Sequence, residues 1–241
     1  MTFLEYFAAC AVEDWHVFLN HVPDNPNSGT YRIFEKQWKE VILLWLGRED
    51  VAREQKEEFI WALGRCEDEC WKFYWYRAYF LAAAGIVEFK DCPWADEIVE
   101  QIVAWGFGEF NEEKQEWQTF LDPIAEGART ILPETDREKA IAALIRLLDI
   151  TNDEDTLRLA AKSLGEIDPG NESAIAALIR ILDTTDHDDT RWRAADSLKE
   201  IGTGNESEIA GLIRILDTTD HDDTRWQAAD SLKEIGTGNE S

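Results

Sequence analysis

Along the second half of the chain, apolar residues recur at a helical spacing, stop, and start again. Ile175, Leu178, Ile179 and Leu182 fall at i, i+3, i+4 and i+7, which is one face of a short helix. The polar run Thr184-Thr185-Asp186-His187-Asp188-Asp189 breaks that pattern, and Ala194, Ala195, Leu198 and Ile201 then trace the buried stripe of a second helix. Gly202-Thr203-Gly204-Asn205 ends it, because glycine readily takes the left-handed conformation that closes a helix. Asn205 followed by Glu208 has the spacing of an N-cap with a carboxylate three residues on, so the next helix starts there. The unit is 34 residues long and begins at Ala140, Ala174 and Glu208. Copies two and three differ only at Ala174/Glu208, Ala177/Gly211 and Arg193/Gln227, while the first matches the second at 22 of 34 positions. Neither helix of a unit can bury its stripe alone, so copies must stack. The pattern predicts an all-α fold, a right-handed α-α superhelix, with repeats over 140–173, 174–207 and 208–241.

The first 138 residues carry the same alternation less regularly. The spacing predicts helices near 2–20, 33–47, 50–64, 67–88, 93–106 and 110–131. The run from Pro23 to Gly29 reads as the clearest loop, and Lys90-Asp91-Cys92-Pro93 as another. Trp38, Val41, Leu44 and Trp45 form one apolar face, and Phe59, Ile60 and Leu63 another. The stretch from Arg77 to Ile86 resembles the second helix of a degenerate repeat with bulkier packing. Residues 122–139 run into the first clear repeat without a linker. The expected organisation is an aromatic-rich helical arm over 1–138, continuous with three regular repeats over 139–241.

Two helices per unit, an alanine-rich second helix and a glycine-containing turn resemble HEAT repeats. The spacing A-I-A-A-L-I-R-x-L-D-x-T followed by A-A-x-S-L-x-E-I is most similar to the arrays of cyanobacterial HEAT-repeat proteins. A second resemblance sits at the start. Thr2-Phe3-Leu4-Glu5-Tyr6-Phe7-Ala8-Ala9 resembles the helix that follows the nucleotide-binding and winged-helix portions of NACHT-type STAND NTPases, and the segment from Trp38 to Gly47 is similar to what comes next in them. This resemblance implies the superhelical arm and sensor end of such a regulator, with its NTPase core supplied in cis or in trans. It also gives Glu5 a structural role against that core. The chain has no G-x-x-x-x-G-K-[ST] loop, so it holds no triphosphate in that manner. It begins inside the opening motif and stops where earlier copies start a new helix, so both ends read as cut.

Charge narrows the partners. Lys and Arg number 24 against 50 Asp and Glu, a formal charge of -26 spread over both halves. Such a surface repels phosphate backbones and anionic membranes, and no segment is basic enough for a nucleic-acid footprint. The opening residues lack the basic residues of a secretory signal. Cys10, Cys66, Cys70 and Cys92 fit free thiols in a reducing cytoplasm rather than a disulfide framework.

Candidate chemistry is sparse. Arg191-Trp192-Arg193 and Arg225-Trp226-Gln227 occupy equivalent places on successive second helices, where the first repeat has Leu157-Arg158-Leu159. Stacking would align them as a ladder, and Trp and Arg are enriched at binding hot spots; the alternative is that each Trp packs between neighbouring repeats. His187-Asp188 and His221-Asp222 supply one His per loop, so helix capping by Asp186, Asn152 and Asp220, with Asp188 and Asp189 against the helix dipole, accounts for these residues better than a metal. Cys66 and Cys70 lie one turn apart, with only Cys92 as a further soft ligand, short of a zinc set. No catalytic, cofactor or metal residue is assigned. Three readings follow: a non-enzymatic protein-interaction and sensor module, a phycobilisome bilin-lyase-like accessory protein with its chromophore groove in the aromatic half, or a remnant without activity. The last repeat is expected to leave Ile209, Leu212, Ile213 and Leu216 uncovered, favouring fraying of 208–241 or end-to-end self-association.

Overall fold

In the computed structural model, helix α1 spans Phe3–Ala11, and the helix expected over 2–20 goes no further. Asp14 stops it by capping a 3-10 turn at Trp15–Val17, its carboxylate accepting from the His16 backbone N–H at 2.9 Å. The last carbonyls of α1 are claimed from elsewhere. Arg48 Nη1 donates to Ala9 O at 2.7 Å and Val12 O at 2.8 Å, and the indole of Trp45 donates to Val12 O at 3.1 Å. The structure describes residues 3–22, 28–66, 73–111, 113–151, 153–185, 187–201, 206–219 and 222–238. They fall into two compact units, Met1–Gly106 with Phe120–Ala140, and Phe107–Thr119 with Ile141–Ser241.

In the first unit, β1 (Leu19–Asn20) pairs antiparallel with β2 (Thr30–Tyr31), flanking the loop expected at 23–29, whose residues 23–27 lie outside the described set. Two 3-10 turns, Arg32–Phe34 and Lys36–Trp38, precede α2 (Lys39–Gly47), so the helix expected from 33 starts later. Helices α3 (Arg53–Gly64), α4 (Phe73–Glu88), α5 (Ala95–Phe107) and α6 (Asp122–Ile131) follow, with α4 packed against α2, α3 and α6. Ala78, Ala82 and Ala83 are wholly buried and let those neighbours approach. Gly85 belongs to the same seam, where an added β-carbon would meet Leu46 Cδ1 at 2.6 Å. The aromatic residues form the core. Phe18, Trp45 and Phe59 lie 5.7–5.8 Å apart between ring centroids, and Trp75, Tyr76 and Tyr79 surround Trp105 at 4.7–5.1 Å. Cys66 and Cys92 are buried, and burial pushes the Cys92 thiol above its ordinary value; Cys70 lies outside the described residues.

The second unit opens with a hairpin that the pattern missed. A helix was expected over 110–131, but β3 (Glu109–Asn111) pairs with β4 (Glu116–Gln118), Phe110 opposite Trp117. The reason is local. Gly108 takes φ +94° at the end of α5, Asn111 Oδ1 accepts from the Lys114 backbone N–H at 2.9 Å, and Gln115 turns the chain at φ 55°. The Phe107 carbonyl then accepts from Trp117 Nε1 at 3.0 Å and from the Thr156 hydroxyl at 3.1 Å, fixing the hairpin to the first repeat.

The repeats are helices α7 (Arg137–Ile150), α8 (Glu154–Ile167), α9 (Glu172–Thr184), α10 (Asp188–Ile201), α11 (Glu206–Thr218) and α12 (Asp222–Gly238). Second helices α8, α10 and α12 pack in one row, first helices α9 and α11 in another, and α9 sits between α8 and α10. This is an all-α solenoid. Both expected stripes are inside, with Ile175, Leu178, Ala194 and Leu198 fully buried. Two close approaches set the fit. A β-carbon on Gly165 would overlap Ile201 of α10, and one on Gly211 would overlap Ile179 of α9.

At α8 the described cap lies one residue later than expected. Asn152, Asp186 and Asp220 lie outside the described residues, and Asp153 caps α8, accepting from Thr156 N–H at 2.8 Å. His187 and His221 are its equivalents in the later copies. Asn171 caps α9 through the Ser173 and Ala174 N–H groups; its counterpart Asn205, with the closing segment 202–205, lies outside the described residues, as does 239–241. The expectation of an open last repeat needs correction. Leu212 is fully buried because α9 and α12 flank it, Ile209 and Leu216 are half-buried, and Ile213 remains exposed.

Candidate functional site

Trp192 is the fifth residue of α10 and Trp226 the fifth of α12, at equivalent places on two packed helices. The residue two along, Ala194 on α10 and Ala228 on α12, faces the core and lies about 200° round the helix from each indole. Trp192 is 50% exposed and Trp226 67%. Arg158 holds the same place on α8 and is half-buried. The row therefore reads Arg158, Trp192, Trp226.

The six residues of the ladder do not share one environment. Arg191 is buried, and its guanidinium donates to the Thr185 carbonyl at the end of α9. The Thr185 hydroxyl donates in turn to Glu154 of α8 at 2.8 Å, so Thr185 reaches the first repeat while the buried Arg191 ties together the two helices of its own repeat. Leu157 is likewise buried at that position in the first copy. Arg193 and Arg225 are exposed, and the Gln227 side chain lies outside the described residues. Arg193 Nη1 stands 3.7 Å from Asp155 Oδ1, and Arg158 Nη2 stands 3.8 Å from the same oxygen. Two guanidinium groups thus bracket one carboxylate.

Carboxylates surround the row. Asp196 lies one turn beyond Trp192 and is exposed; Asp222 and Asp223 lie one turn before Trp226 and are exposed; Asp230 lies one turn after it. Asp222 and Asp223 are in the first turn of α12, where the helix dipole favours them. Asp230 meets Lys199 of α10 at 3.4 Å. Sequence reasoning passed over Asp155, Lys199 and Asp230. A usable signal existed for the first, since aspartate recurs at positions 155, 189 and 223 of the three copies.

The other candidates stay apart. The His187 backbone N–H donates to Thr185 Oγ1 at 3.2 Å, at the start of a helix, and His221 lies outside the described residues, as do Glu67, Asp68 and Glu69. Among the described residues no three His, Cys, Asp or Glu side chains gather as a metal set. In the opening motif, Phe3, Leu4 and Phe7 are exposed on α1 at 84%, 80% and 64%.

Stacked helix pairs define the class: a helical-repeat solenoid. The family model of HEAT repeats matches residues 123–199 and 141–233. No curated protein matches the chain. Two engineered proteins solved by crystallography are similar to it, at 19% and 18% identity and TM-scores of 0.37 each. Both cover 84% of this chain, and 92% and 54% of their own.

Proposed function

We propose that this chain is a non-catalytic protein-interaction module whose partner-binding face is the row of second helices carrying Trp192 and Trp226, with Arg193 and Arg225 beside them. HEAT-repeat solenoids commonly serve as interaction scaffolds, and the observation that carries the reading here is the exposure of the two indoles. Most described apolar side chains of the repeats are buried, with Ile150 and Ile213 exposed, yet the bulkiest ones in the array, Trp192 and Trp226, stand half or more in water at matching places. Tryptophan so placed contributes most when a partner covers it. The sensor arm of a NACHT-like regulator is the finer form of this reading, supported by the opening motif and by the exposed flank of α1, which offers an NTPase core in cis or in trans an apolar surface.

The test is affinity capture from source-cell extract with the wild-type chain and a W192A/W226A chain side by side. A protein retained by the first and lost by the second is the expected outcome. Equal recovery on both would remove this face from the function. No helix of the described residues is long and apolar enough to cross a membrane, so the experiment needs no detergent on that account.

A further inference from the structure

We infer that the outer edge of the third repeat docks a helix pair of the same repeat type carried by another polypeptide, with glycine, arginine and aspartate at three defined places. The inference does not depend on the aromatic row.

Equal residues in unequal surroundings mark this edge. Repeats two and three differ only at Ala174/Glu208, Ala177/Gly211 and Arg193/Gln227, yet their apolar side chains are covered to different degrees. Ile179 is 9% exposed and its counterpart Ile213 47%. Ile175, Leu182 and Leu198 are buried, whereas Ile209, Leu216 and Leu232 are half-buried. Ala195 is buried and Ala229 exposed. Leu178 and Leu212, inside each helix pair, are fully buried in both. The difference follows from position. Helix α11 packs on α9 and α12 on α10, and the side chains they cover are the ones that stand open one repeat later. Each unit of a solenoid buries its stripe on its neighbour, so an apolar edge of this kind fits a further unit.

The interface between repeats two and three defines what that unit carries. Gly211 of α11 lies on Ile179, where a β-carbon would overlap, so the residue facing Ile213 is glycine. Arg214 of α11 pairs with Asp183, and Asp230 of α12 meets Lys199 at 3.4 Å. The counterparts of the two receiving residues are Asp217 and Lys233, and both are exposed. The edge therefore repeats the apolar contacts and both charges that hold the third repeat on the second. A second copy of this chain is a poor match. Its second and third repeats are already packed on the repeats before them, and its first has Lys162 where pairing with Lys233 calls for aspartate.

The probe is a fluorescein-labelled peptide of the third-repeat sequence, residues 205–238, titrated with the full chain at about 0.15 M salt and followed by anisotropy. Saturable binding is expected, and Ile213→Asp is expected to weaken it about tenfold or more by setting a charge against an apolar contact. Exposed ion pairs contribute about 0–1 kcal/mol each, so the D217R/K233D chain is expected to lose about tenfold. A peptide carrying R214D and D230K is expected to recover that loss on the double variant and to bind wild type weakly. Ile213, Asp217 and Lys233 are exposed, so the variants keep their fold, and circular dichroism checks this. Absence of saturable binding, or equal binding to the Ile213→Asp chain, would overturn the docking edge. Loss without recovery by the reversed peptide would overturn the chemistry assigned to the partner. Sedimentation of the chain alone tests the remaining occupant: association that rises with concentration and vanishes in Ile213→Asp would give the edge to a second copy and overturn the inference.

Discussion

Arg191 and Arg225 are the same residue in two nearly identical copies, and the structure uses them differently. Arg191 is buried on the Thr185 carbonyl; Arg225 is exposed. Removing a charged donor from a buried acceptor costs about 1.5–3 kcal/mol, whereas an exposed arginine costs about 0.5 kcal/mol or less. Arg191→Ala should therefore lower the urea midpoint clearly, and Arg225→Ala should leave it nearly unchanged; equal effects would contradict the placement. Gly211 makes a similar point. The other copies have alanine there, at Ala143 and Ala177, so a consensus argument favours Gly211→Ala. The structure argues the reverse, because the methyl would overlap Ile179. Overpacking of this kind costs about 1–3 kcal/mol, and chemical denaturation of the variant should show that loss.

At the scale of elements, helix ends decided what periodicity left open. The opening helix stops at Ala11 because Asp14 makes a tighter turn and Arg48 and Trp45 take the free carbonyls. The Arg48 guanidinium also bonds Asp50 and holds its carboxyl below the usual range. A carboxyl with a lowered folded pKa stabilises the fold above its unfolded pKa, and that contribution is lost as pH falls through the folded one. Asp50→Asn should accordingly destabilise the chain at neutral pH and make no difference well below the ordinary aspartate range, as parallel melts at the two pH values will show. In the repeats, Asp153 caps α8 where the later copies have His187 and His221. Asp153→Ala should cost about 1 kcal/mol, and hydrogen exchange in the first turn of α8 should rise before that of the rest of the helix.

For the whole molecule, the imbalance of 50 acidic against 24 basic residues decides the sign of the salt response. Cross-helix pairs such as Lys199–Asp230 and Arg214–Asp183 are partly exposed, and such pairs contribute about 0–1 kcal/mol each. More than half the carboxylates have no basic residue to match them, so repulsion outweighs the pairs. Raising salt from about 0.01 to about 0.15 M shortens the screening length from about 30 to about 8 Å and should raise the melting temperature. A fall would mean that the ion pairs dominate.

The repeats were legible in the sequence alone because stacking copies repeat their own environment. Ile175, Leu178, Ala194 and Leu198 are apolar at helical spacing, and nothing nonlocal competes for them. The anionic surface was equally fixed by composition. The hairpin at 109–118 was not legible, since its turn depends on single residues, Asn111 and Gln115, inside a stretch whose apolar spacing also fits a helix. The candidate face was half legible. Sequence alignment of the copies placed Trp192 and Trp226 in register, but only packing decided that they stand in water while Arg191 beside them is buried. A helix turns about 100° per residue, so adjacent positions face different neighbours, and those neighbours come from helices far along the chain.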